Sequence, residues 1–568
     1  MTPGVDSAEP SVVSGAGLKP LLYRTVDGVL KNAARTHPDR LALAVAQQSQ
    51  RYTFAELDTA VEQLARGFLA LGLRPGERIG IWSPNRSEWV LTMFAAARAG
   101  LILVNINPAY RAHELGFALR QVGCRALVFA PAFRGEDYGA MLGELIPELA
   151  STAPGPLVAR GLPDLRFLVR LGAGVQPGCL AFDDVRAAGG DPEAAALAAI
   201  AAGLDPDRPY NIQFTSGTTG TPKGATLSHF NIVNNGFFVG ECLRLVPQDR
   251  VCIPVPMYHC FGMVLGVLAA MTHGAASVFP GEAFEPLAVL EAVARERCTV
   301  LHGVPTMFIG ELEHPRFGDF DLSSLRTGIM GGAPCPIAVM RRVIEEMHMA
   351  DVTICYGMTE TSPVSFQSEC DDPLERRVAT VGRIHPHVQA KVIDADGRVT
   401  PRGVAGELLT RGYCVMHGYW NEPERTREAI DAAGWMHTGD LAVIDAEGFC
   451  DIVGRVKDMI IRGGENISPR EIEDFLYLHP AVQDVAVIGV PDPKYGEVVC
   501  ACVRLRAGAS ATEEEIRTFC RDRIAHYKVP RHVRFVDGFP LTVTGKIQKY
   551  RIREQMRAEL NLTEERHA

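Results

Sequence analysis

The first 120 residues alternate between segments with helical spacing of apolar side chains and short apolar segments bounded by turn residues. Residues 61–71 and 88–99 predict helices, whereas residues 78–82 and 101–104 predict buried strands. Alternation of this kind is typical of α/β proteins. It predicts a parallel or mixed sheet that helices cover on both faces.

Beyond residue 380 the pattern changes to short strands separated by tight turns. Asp394-Ala395-Asp396-Gly397 and Asp445-Ala446-Glu447-Gly448 predict hairpin turns in which glycine supplies the positive φ. A new pattern then predicts helices over 469–478 and 513–524 and strands over 482–490 and 498–505. We therefore expect a mostly β subdomain over about 380–453 and a compact α+β domain at the end of the chain.

Composition excludes several classes of protein. Hydrophobic residues make up 47% of the 568 residues, so the chain has enough apolar side chains to build sizeable cores. A net charge of −10 argues against non-specific binding of nucleic acid. The longest apolar run, residues 260–271, is shorter than the ~18 residues that a membrane span needs.

Cysteine usage and the first residues indicate a cellular compartment. Fourteen cysteines are scattered without a C-x-x-C pair, which is typical of buried thiols in a reducing cytoplasm. The first twenty residues contain no apolar segment of the kind that a secretory signal requires. We expect a flexible tail over residues 1–20 and a cytoplasmic location.

The strongest local signal is a run of glycine and hydroxyl residues that follows the predicted strand 210–214. Glycines let backbone amides approach a phosphate closely, hydroxyl groups donate hydrogen bonds to its oxygens, and a lysine adds positive charge. The run departs from the G-x-x-x-x-G-K-[ST] phosphate loop, and by itself it predicts an anion site without specifying a reaction. The alternative is a polar surface loop. The residues are Thr215, Ser216, Gly217, Thr218, Thr219, Gly220, Thr221, Pro222, Lys223 and Gly224.

This decapeptide resembles the signature of acyl-adenylate-forming ligases, which include acyl-CoA synthetases, peptide-synthetase adenylation domains and luciferases. Further motifs of that family follow in the expected order, and the resemblance spans about residues 25–560. These motifs are Tyr356-Gly357-Met358-Thr359-Glu360-Thr361, Thr438-Gly439-Asp440, Gly454-Arg455-Val456-Lys457-Asp458, Gly463-Gly464-Glu465-Asn466 and Pro540-Leu541-Thr542-Val543-Thr544-Gly545-Lys546.

The resemblance implies a domain organisation. A large N-terminal domain over 21–454 would combine two βα-layered subdomains with the β-rich subdomain. A hinge over 455–458, with Lys457 at its centre, would connect it to a small mobile C-terminal domain over 459–568. Rotation about this hinge would exchange the sites of two half-reactions.

The implied first half-reaction joins a carboxylate to ATP, giving acyl-AMP and pyrophosphate. By resemblance, Lys546 lies between the carboxylate and the α-phosphate, Thr359 contacts that phosphate, and Glu360 helps to hold Mg²⁺. Asp440 would accept hydrogen bonds from the ribose hydroxyls, with Arg455 supporting ribose or phosphate. The remaining implied ATP and AMP contacts come from residues 215–223 and from Gly332, Ala333, Tyr356 and Gly357.

The implied second half-reaction transfers the acyl group to CoA, whose pantetheine arm would pass Gly463, Gly464, Glu465 and Asn466. The acyl pocket is expected among apolar segments with no obvious charged side chain, which favours an uncharged acid over an amino acid or a diacid. His259 and His302 are each either an acyl-pocket residue or a packed core histidine. The expected acyl-pocket residues are His259, Phe261, Gly262, Val264, Val304 and Gly331.

Within the family, the sequence is most similar to fatty-acyl-CoA synthetases of the medium-chain group. We therefore predict a ligase for a fatty acid, with ATP, Mg²⁺ and CoA required and no nucleic-acid partner. There are three alternatives. The first is a ligase for a short-chain, thioether or aryl acid, the second is an adenylation enzyme that loads a carrier protein, and the third is a non-catalytic nucleotide-binding regulator. The sequence does not decide whether the protein forms a homodimer. A serine hydrolase is disfavoured because the sequence contains no G-x-S-x-G motif.

Overall fold

A computed structural model describes residues 9–215, 222–333, 335–462, 465–521, 523–541, 547–560 and 562, without the side chain of Asn466. The chain divides into two compact units. The larger unit comprises Ser14–Gln389 and Thr410–Met436, and the smaller unit comprises Met1–Val13, Ala390–Leu409 and His437–Ala568.

The helices of the described residues are α1 Val26–Thr36, α2 Phe54–Ala70, α3 Ser87–Arg98, α4 Ala112–Val122, α5 Tyr138–Leu145, α6 Phe182–Ala187, α7 Asp191–Gly203, α8 His229–Cys242, α9 Ala269–Thr272, α10 Pro286–Glu296, α11 Pro305–Leu312, α12 Ile337–Glu346, α13 Leu374–Ala379, α14 Pro423–Ala429, α15 Pro469–Leu476, α16 Glu513–Cys520 and α17 Lys549–Glu559.

The strands are β1 Val12–Ser14, β2 Leu41–Val45, β3 Gln50–Thr53, β4 Arg78–Trp82, β5 Ile102–Ile106, β6 Cys124–Phe129, β7 Ala132–Phe133, β8 Glu136–Asp137, β9 Phe167–Arg170, β10 Cys179–Ala181, β11 Pro209–Thr215, β12 Lys223–Ser228, β13 Arg250–Cys252, β14 Ala276–Phe279, β15 Val300–Gly303, β16 Thr327–Gly331, β17 Asp351–Gly357, β18 Val364–Gln367, β19 Arg383–Ile384, β20 Val388–Ile393, β21 Gly406–Gly412, β22 Gly418–Tyr419, β23 Met436–Ile444, β24 Cys450–Arg455, β25 Ile460–Arg462, β26 Glu465–Ile467, β27 Val482–Asp492, β28 Gly496–Leu505 and β29 His532–Phe535.

The larger unit contains two mostly parallel sheets. One has the order β10-β9-β6-β4-β5-β11-β12-β22, and the other has the order β19-β18-β17-β16-β15-β13-β14-β2-β3. In the first sheet β12 runs antiparallel to its neighbours β11 and β22. In the second sheet β18 runs antiparallel to β17 and β19, and at the other end β3 runs antiparallel to β2. The predicted α/β class with a mixed sheet is confirmed.

The smaller unit contains the C-terminal sheet, in which β26-β25-β28-β27 are neighbours and β29 pairs with β28. A second sheet, with the order β1-β20-β21-β23-β24, lies mainly in this unit. Its strands account for most of the predicted β-rich region. Both predicted hairpin turns have glycine at positive φ, Gly397 at 79° and Gly448 at 84°.

Helix boundaries show where the sequence prediction was incomplete. Helix α2 begins at Phe54, seven residues before the predicted start at 61, because Thr53 and Glu56 form a capping box. The Glu56 N–H donates to the Thr53 hydroxyl at 3.2 Å, and the Thr53 N–H donates to the Glu56 carboxylate at 2.8 Å. The predicted helix 513–524 ends at Cys520.

The predicted flexible tail is not uniform. Residues 1–8 lie outside the described residues, but Val12–Ser14 form strand β1 beside β20. The Val392 N–H donates to the Ser11 carbonyl, and the Ser11 N–H donates to the Thr400 carbonyl at 2.8 Å. The prediction of a tail is therefore wrong for this segment, because backbone pairing needs no apolar sequence pattern.

Candidate active site

The predicted phosphate loop connects the two strands of an antiparallel hairpin. Thr215, the last residue of β11, pairs with Lys223, the first residue of β12, and Pro222 precedes Lys223. The loop residues between them, Ser216, Gly217, Thr218, Thr219, Gly220 and Thr221, lie outside the described residues. The hairpin therefore places a hydroxyl and an ammonium group at the two ends of the loop.

Glu360 lies in a single turn, Thr359–Thr361, that follows strand β17. Its side chain is buried, and the carboxylate oxygen Oε1 accepts hydrogen bonds from two hydroxyl groups. Thr215 donates from Oγ1 at 3.2 Å, and Tyr419 donates from its phenol oxygen at 2.9 Å. The fold thus brings Thr215 and Glu360, 145 positions apart in sequence, into direct contact.

Tyr419 was not predicted as a site residue. It lies in the two-residue strand β22, opposite Ala225 of β12, and is buried. The Lys223 ammonium lies 4.7 Å from the centre of its ring, within range of a cation–π interaction. Burial raises the pKa of the Tyr419 phenol, and the negative charge of Glu360 raises it further. Its neighbours Gly418 and Trp420 gave no pattern that would have identified it.

The segments after β16 and β17 lie at one edge of the second sheet. These strands are parallel, with Gly331 opposite Cys355, so their carboxyl ends are adjacent. Gly332 has a φ of 85°, a conformation that favours glycine, and Ala333 follows it. Edges of this kind are common ligand sites in α/β proteins.

Tyr356 and Gly357 form the end of β17. The Tyr356 ring packs edge-on against Phe366 at 6.4 Å between ring centres. A side chain at Gly357 would place its Cβ 1.7 Å from the Pro363 carbonyl oxygen, so only glycine fits. The hydroxyl of the buried Thr359 lies 3.9 Å from the Cys260 thiol, which connects this edge to the predicted acyl segment.

A π-helix occupies Phe261–Leu268, and all eight of its residues are buried. Such helices are rare and often lie at functional sites. His259 accepts a hydrogen bond from the Phe261 N–H at Nδ1, at 3.1 Å, and so caps the first turn. A Cβ at Gly262 would lie 2.5 Å from the Pro256 carbonyl oxygen.

Three of the predicted acyl-pocket residues, Phe261, Val264 and Val304, belong to one buried hydrophobic cluster. Val304 immediately precedes α11. The cluster extends through much of the larger unit, and its member Cys260 lies 3.9 Å from the Thr359 hydroxyl. The position of the acyl chain itself stays a prediction.

His302 is a structural histidine. It is fully buried, and its Nδ1 accepts a hydrogen bond from the Ile329 N–H at 3.2 Å. The proton of the neutral ring is therefore on Nε2, which donates to the Leu265 carbonyl at 3.1 Å. These bonds connect β15, β16 and the π-helix, which favours the core role over an acyl-binding role.

Burial makes the larger unit sensitive to acid. Desolvation lowers the pKa of His302 to about 4, and it lowers the pKa values of His229 and His385 to about 3. In the unfolded chain these groups titrate near pH ~6.5, so between that value and their folded pKa values only the unfolded state takes up protons. The free energy of unfolding should therefore fall as pH decreases below about 6.5, by ~1 kcal/mol per histidine at pH ~5.5.

Urea unfolding at pH about 7.5 and about 5.5 would measure this loss. The variant His302→Gln, which cannot titrate, is expected to show a smaller difference between the two pH values than the wild type. An identical difference in the two proteins would show that His302 is protonated in the folded state.

Asp440 and Arg455 meet in the smaller unit. They are directly opposite each other on β23 and β24, and Arg455 donates from Nε to Asp440 Oδ1 at 2.8 Å. Asp440 is buried, and Gly439 before it has a φ of 70°. The structure brings these two predicted residues together, and their contact with ribose stays a prediction.

The predicted hinge and CoA residues lie in the segment after β24. Lys457 is the middle residue of a short 3₁₀ turn, Val456–Asp458, and Glu465 pairs with Arg462 in the β25–β26 hairpin. Gly463, Gly464 and Lys546 lie outside the described residues, as does the Asn466 side chain. Their roles stay predictions.

Two segments of this chain match known protein families. The AMP-binding enzyme family matches residues 30–420, and the AMP-binding enzyme C-terminal domain matches residues 471–546. The chain belongs to the AMP-binding enzyme family. The predicted family is thereby confirmed.

Full-length relatives confirm the predicted class of AMP-forming acid–CoA ligase. YngI of Bacillus subtilis (strain 168) is 47% identical over 544 residues, covering 96% of this chain and 99% of that protein. The mitochondrial medium-chain acyl-CoA ligase ACSF2 of Bos taurus is 47% identical over 548 residues, covering 95% and 89%. The crystal structure of the anthranilate CoA ligase AuaEII with anthranoyl-AMP has a TM-score of 0.83 at 28% identity, covering 96% and 99%.

No helix in the described part of this AMP-binding enzyme combines the length and the hydropathy that a membrane crossing requires. Within the same residues, the cysteines form no disulfide bond.

Proposed function

We propose that this AMP-binding enzyme converts a medium-chain fatty acid, ATP and CoA into acyl-CoA, AMP and pyrophosphate. The observation that carries this proposal is the 47% identity to a medium-chain acyl-CoA ligase over 95% of the chain. The buried apolar cluster of Phe261, Val264 and Val304 is compatible with an uncharged acyl chain.

In the first half-reaction, a carboxylate oxygen of the acid forms a bond to the α-phosphorus of ATP, and the bond from that phosphorus to pyrophosphate breaks. Both reactants are anions, so positive charge and oriented donors are needed where they meet. We assign Lys546 to the position between them, with Lys223, Thr215 and the loop residues 216–221 as phosphate contacts. Thr359 would contact the α-phosphate.

Around the nucleotide, we assign the adenine to Tyr356, Gly357, Gly332 and Ala333, and the ribose hydroxyls to Asp440. The contact of Asp440 with Arg455 supports this role, because the hydrogen bond from the guanidinium fixes the orientation of the carboxylate. An ionised carboxylate only accepts hydrogen bonds, and a ribose hydroxyl pair donates them.

The residues present fit a magnesium ion that accompanies ATP. Among the described residues there is no group of three or more His, Cys, Asp or Glu side chains that could hold a metal. Mg²⁺ is commonly bound through one or two carboxylates together with substrate phosphates and water, so Glu360 suffices as its protein ligand. Bound there, the ion would neutralise phosphate charge.

In the second half-reaction, the CoA sulfur forms a bond to the acyl carbonyl carbon, the bond to AMP breaks, and the thiol proton is lost. We assign Gly463, Gly464, Glu465 and Asn466 to the CoA path and Lys457 to the hinge that separates the half-reactions. A thiol with a pKa near ~8.5 is a competent nucleophile once its acceptor is activated.

A single assay tests this function. AMP, pyrophosphate and acyl-CoA are measured with ATP, Mg²⁺ and CoA against straight-chain acids from acetate to stearate, aryl acids and amino acids. We expect acid-dependent AMP release with the highest kcat/KM for acids of medium length. Highest activity with an aryl acid would replace the proposed substrate class, and ADP formation would exclude the ligase.

The cytoplasm stays the predicted location. The ACSF2 relatives of this enzyme are named as mitochondrial, whereas YngI comes from a bacterium. Fractionation of the native cells, followed by detection of the enzyme in the soluble and organelle fractions, would decide between these locations. Light scattering of the purified enzyme would measure whether it forms a homodimer.

A further inference from the structure

The carboxylate of Glu360 is held on one side by hydroxyl groups. Thr215 and Tyr419 both donate to Oε1, at 3.2 and 2.9 Å. Within the part of the chain that the structure describes, no hydrogen bond reaches Oε2. Hydrogen bonds to an ionised acceptor are stronger than those between neutral groups, so this pair fixes the rotation of the carboxylate and leaves Oε2 as the available ligand.

The segment that carries Tyr419 also holds the main chain of Glu360. The Met416 N–H donates to the Glu360 carbonyl at 2.9 Å. Tyr419 itself is fixed by pairing with Ala225 and by its N–H, which donates to the Thr426 hydroxyl at 2.9 Å. The phenol is therefore a rigid donor, because both its backbone and its target are restrained by neighbouring elements.

The face of the Tyr419 ring contacts a second group of the site. The Lys223 ammonium, at the exit of the phosphate loop, lies 4.7 Å from the ring centre. One side chain thus contacts the carboxylate through its hydroxyl and the ammonium through its π face. These two contacts are chemically separable, since phenylalanine keeps the ring and removes the hydroxyl.

We infer that Tyr419 is a positioning residue that orients Glu360 for the metal of MgATP and holds Lys223 beside the same phosphates. The inference rests on the proposed function only in taking MgATP as the ligand. Groups that orient a metal ligand are expected to influence metal affinity by about 10- to 100-fold when they are removed.

The test measures equilibrium binding of ATP to the full-length protein by calorimetry, in excess Mg²⁺ and in EDTA, without acid or CoA. In Tyr419→Phe, we expect the gain in ATP affinity that Mg²⁺ provides to decrease by about tenfold. The affinity for metal-free ATP should change by less than about twofold, because the ring beneath Lys223 remains. In Tyr419→Leu, metal-free binding should weaken as well.

The matched control is Tyr138→Phe. Tyr138 is fully buried, and its hydroxyl donates to the Pro108 carbonyl at 2.5 Å, so the variant also loses one buried hydrogen bond. Its Mg²⁺-dependent gain should equal that of the wild type. Thr215→Val removes the other hydroxyl on Oε1 and should reduce the gain in the same direction as Tyr419→Phe.

Two results would overturn the inference. One is an unchanged Mg²⁺-dependent gain in Tyr419→Phe, and the other is an equal loss of affinity with and without Mg²⁺, which indicates a purely structural role. Failure of the proposed ligase would be recognised separately, because a wild-type protein that binds MgATP but forms no acyl-CoA leaves this measurement intact.

Discussion

Replacing Lys546 with alanine is expected to abolish acyl-AMP formation while sparing the transfer of a supplied acyl group to CoA. The lysine is assigned to the meeting point of a carboxylate and a phosphate, where its charge acts mainly in the transition state. Removing one such stabilising group typically costs about 10²- to 10³-fold in rate. The measurement is pyrophosphate release for the first half-reaction and CoA thioester formation from synthetic acyl-AMP for the second.

Lys549→Ala is the matched control for this experiment. Lys549 lies three positions further along the chain, at the start of α17, and its ammonium pairs with Glu473 at 2.6 Å. The variant removes the same charge from the same stretch of sequence, but Lys549 has no assigned role in either half-reaction. Both half-reactions should therefore stay close to wild type. Equal losses of both half-reactions in Lys546→Ala would contradict the assigned role.

Replacing Glu360 with glutamine is expected to reduce acyl-AMP formation by at least about 100-fold at moderate Mg²⁺ concentrations. Glutamine has nearly the same shape, and its carbonyl oxygen can still accept hydrogen bonds from Thr215 and Tyr419. It lacks the negative charge that a hard divalent ion requires of its ligand. Acyl-AMP formation measured over a series of Mg²⁺ concentrations should show partial recovery at high concentration.

Glu241→Gln provides the comparison for Glu360→Gln. Glu241 is partly buried and accepts a hydrogen bond from His273 at 3.0 Å, so its replacement also neutralises a hydrogen-bonded carboxylate. We expect an unaltered Mg²⁺ requirement in this variant. If Glu360→Gln had the Mg²⁺ dependence of the wild type and lost only thermal stability, Glu360 would be a structural residue.

Glu360→Gln should reduce acyl-AMP formation more than Tyr419→Phe does. The first removes the charge of the ligand, whereas the second removes one of two groups that orient it. A double variant should therefore lose little more than Glu360→Gln alone, since orientation has no effect once the charged ligand is absent.

Much of the fold could be predicted from local sequence. Strand β4 over Arg78–Trp82 matches its prediction, and α15 begins at the predicted Pro469, because apolar spacing and turn residues act over a few positions. The start of α2 was missed although Thr53 and Glu56 have the capping-box spacing. Strand β1 could not have been predicted, because its stability depends on pairing with β20, far away in sequence.

The candidate site, like the fold, could be predicted from the sequence only in part. The motifs around Thr215, Glu360 and Asp440 were recognisable from residue types and order, and the fold places Thr215 against Glu360 and Asp440 against Arg455. The roles of His259 and His302 were ambiguous in sequence. The structure assigns both rings to hydrogen bonds with backbone groups at the π-helix and its neighbours, because packing selects their partners.

The sequence by itself determined the family, the class of reaction and the order of the chemical groups along the chain, because motifs of contiguous residues carry this information. Only the tertiary structure decided that Tyr419 touches both Glu360 and Lys223. The contact with Lys223 arises from the pairing of β12 with β22, and the contact with Glu360 arises where the segment before Tyr419 hydrogen-bonds to the main chain of Glu360. No local pattern encodes them, because the partners of a short buried strand are chosen by the packing of the whole sheet.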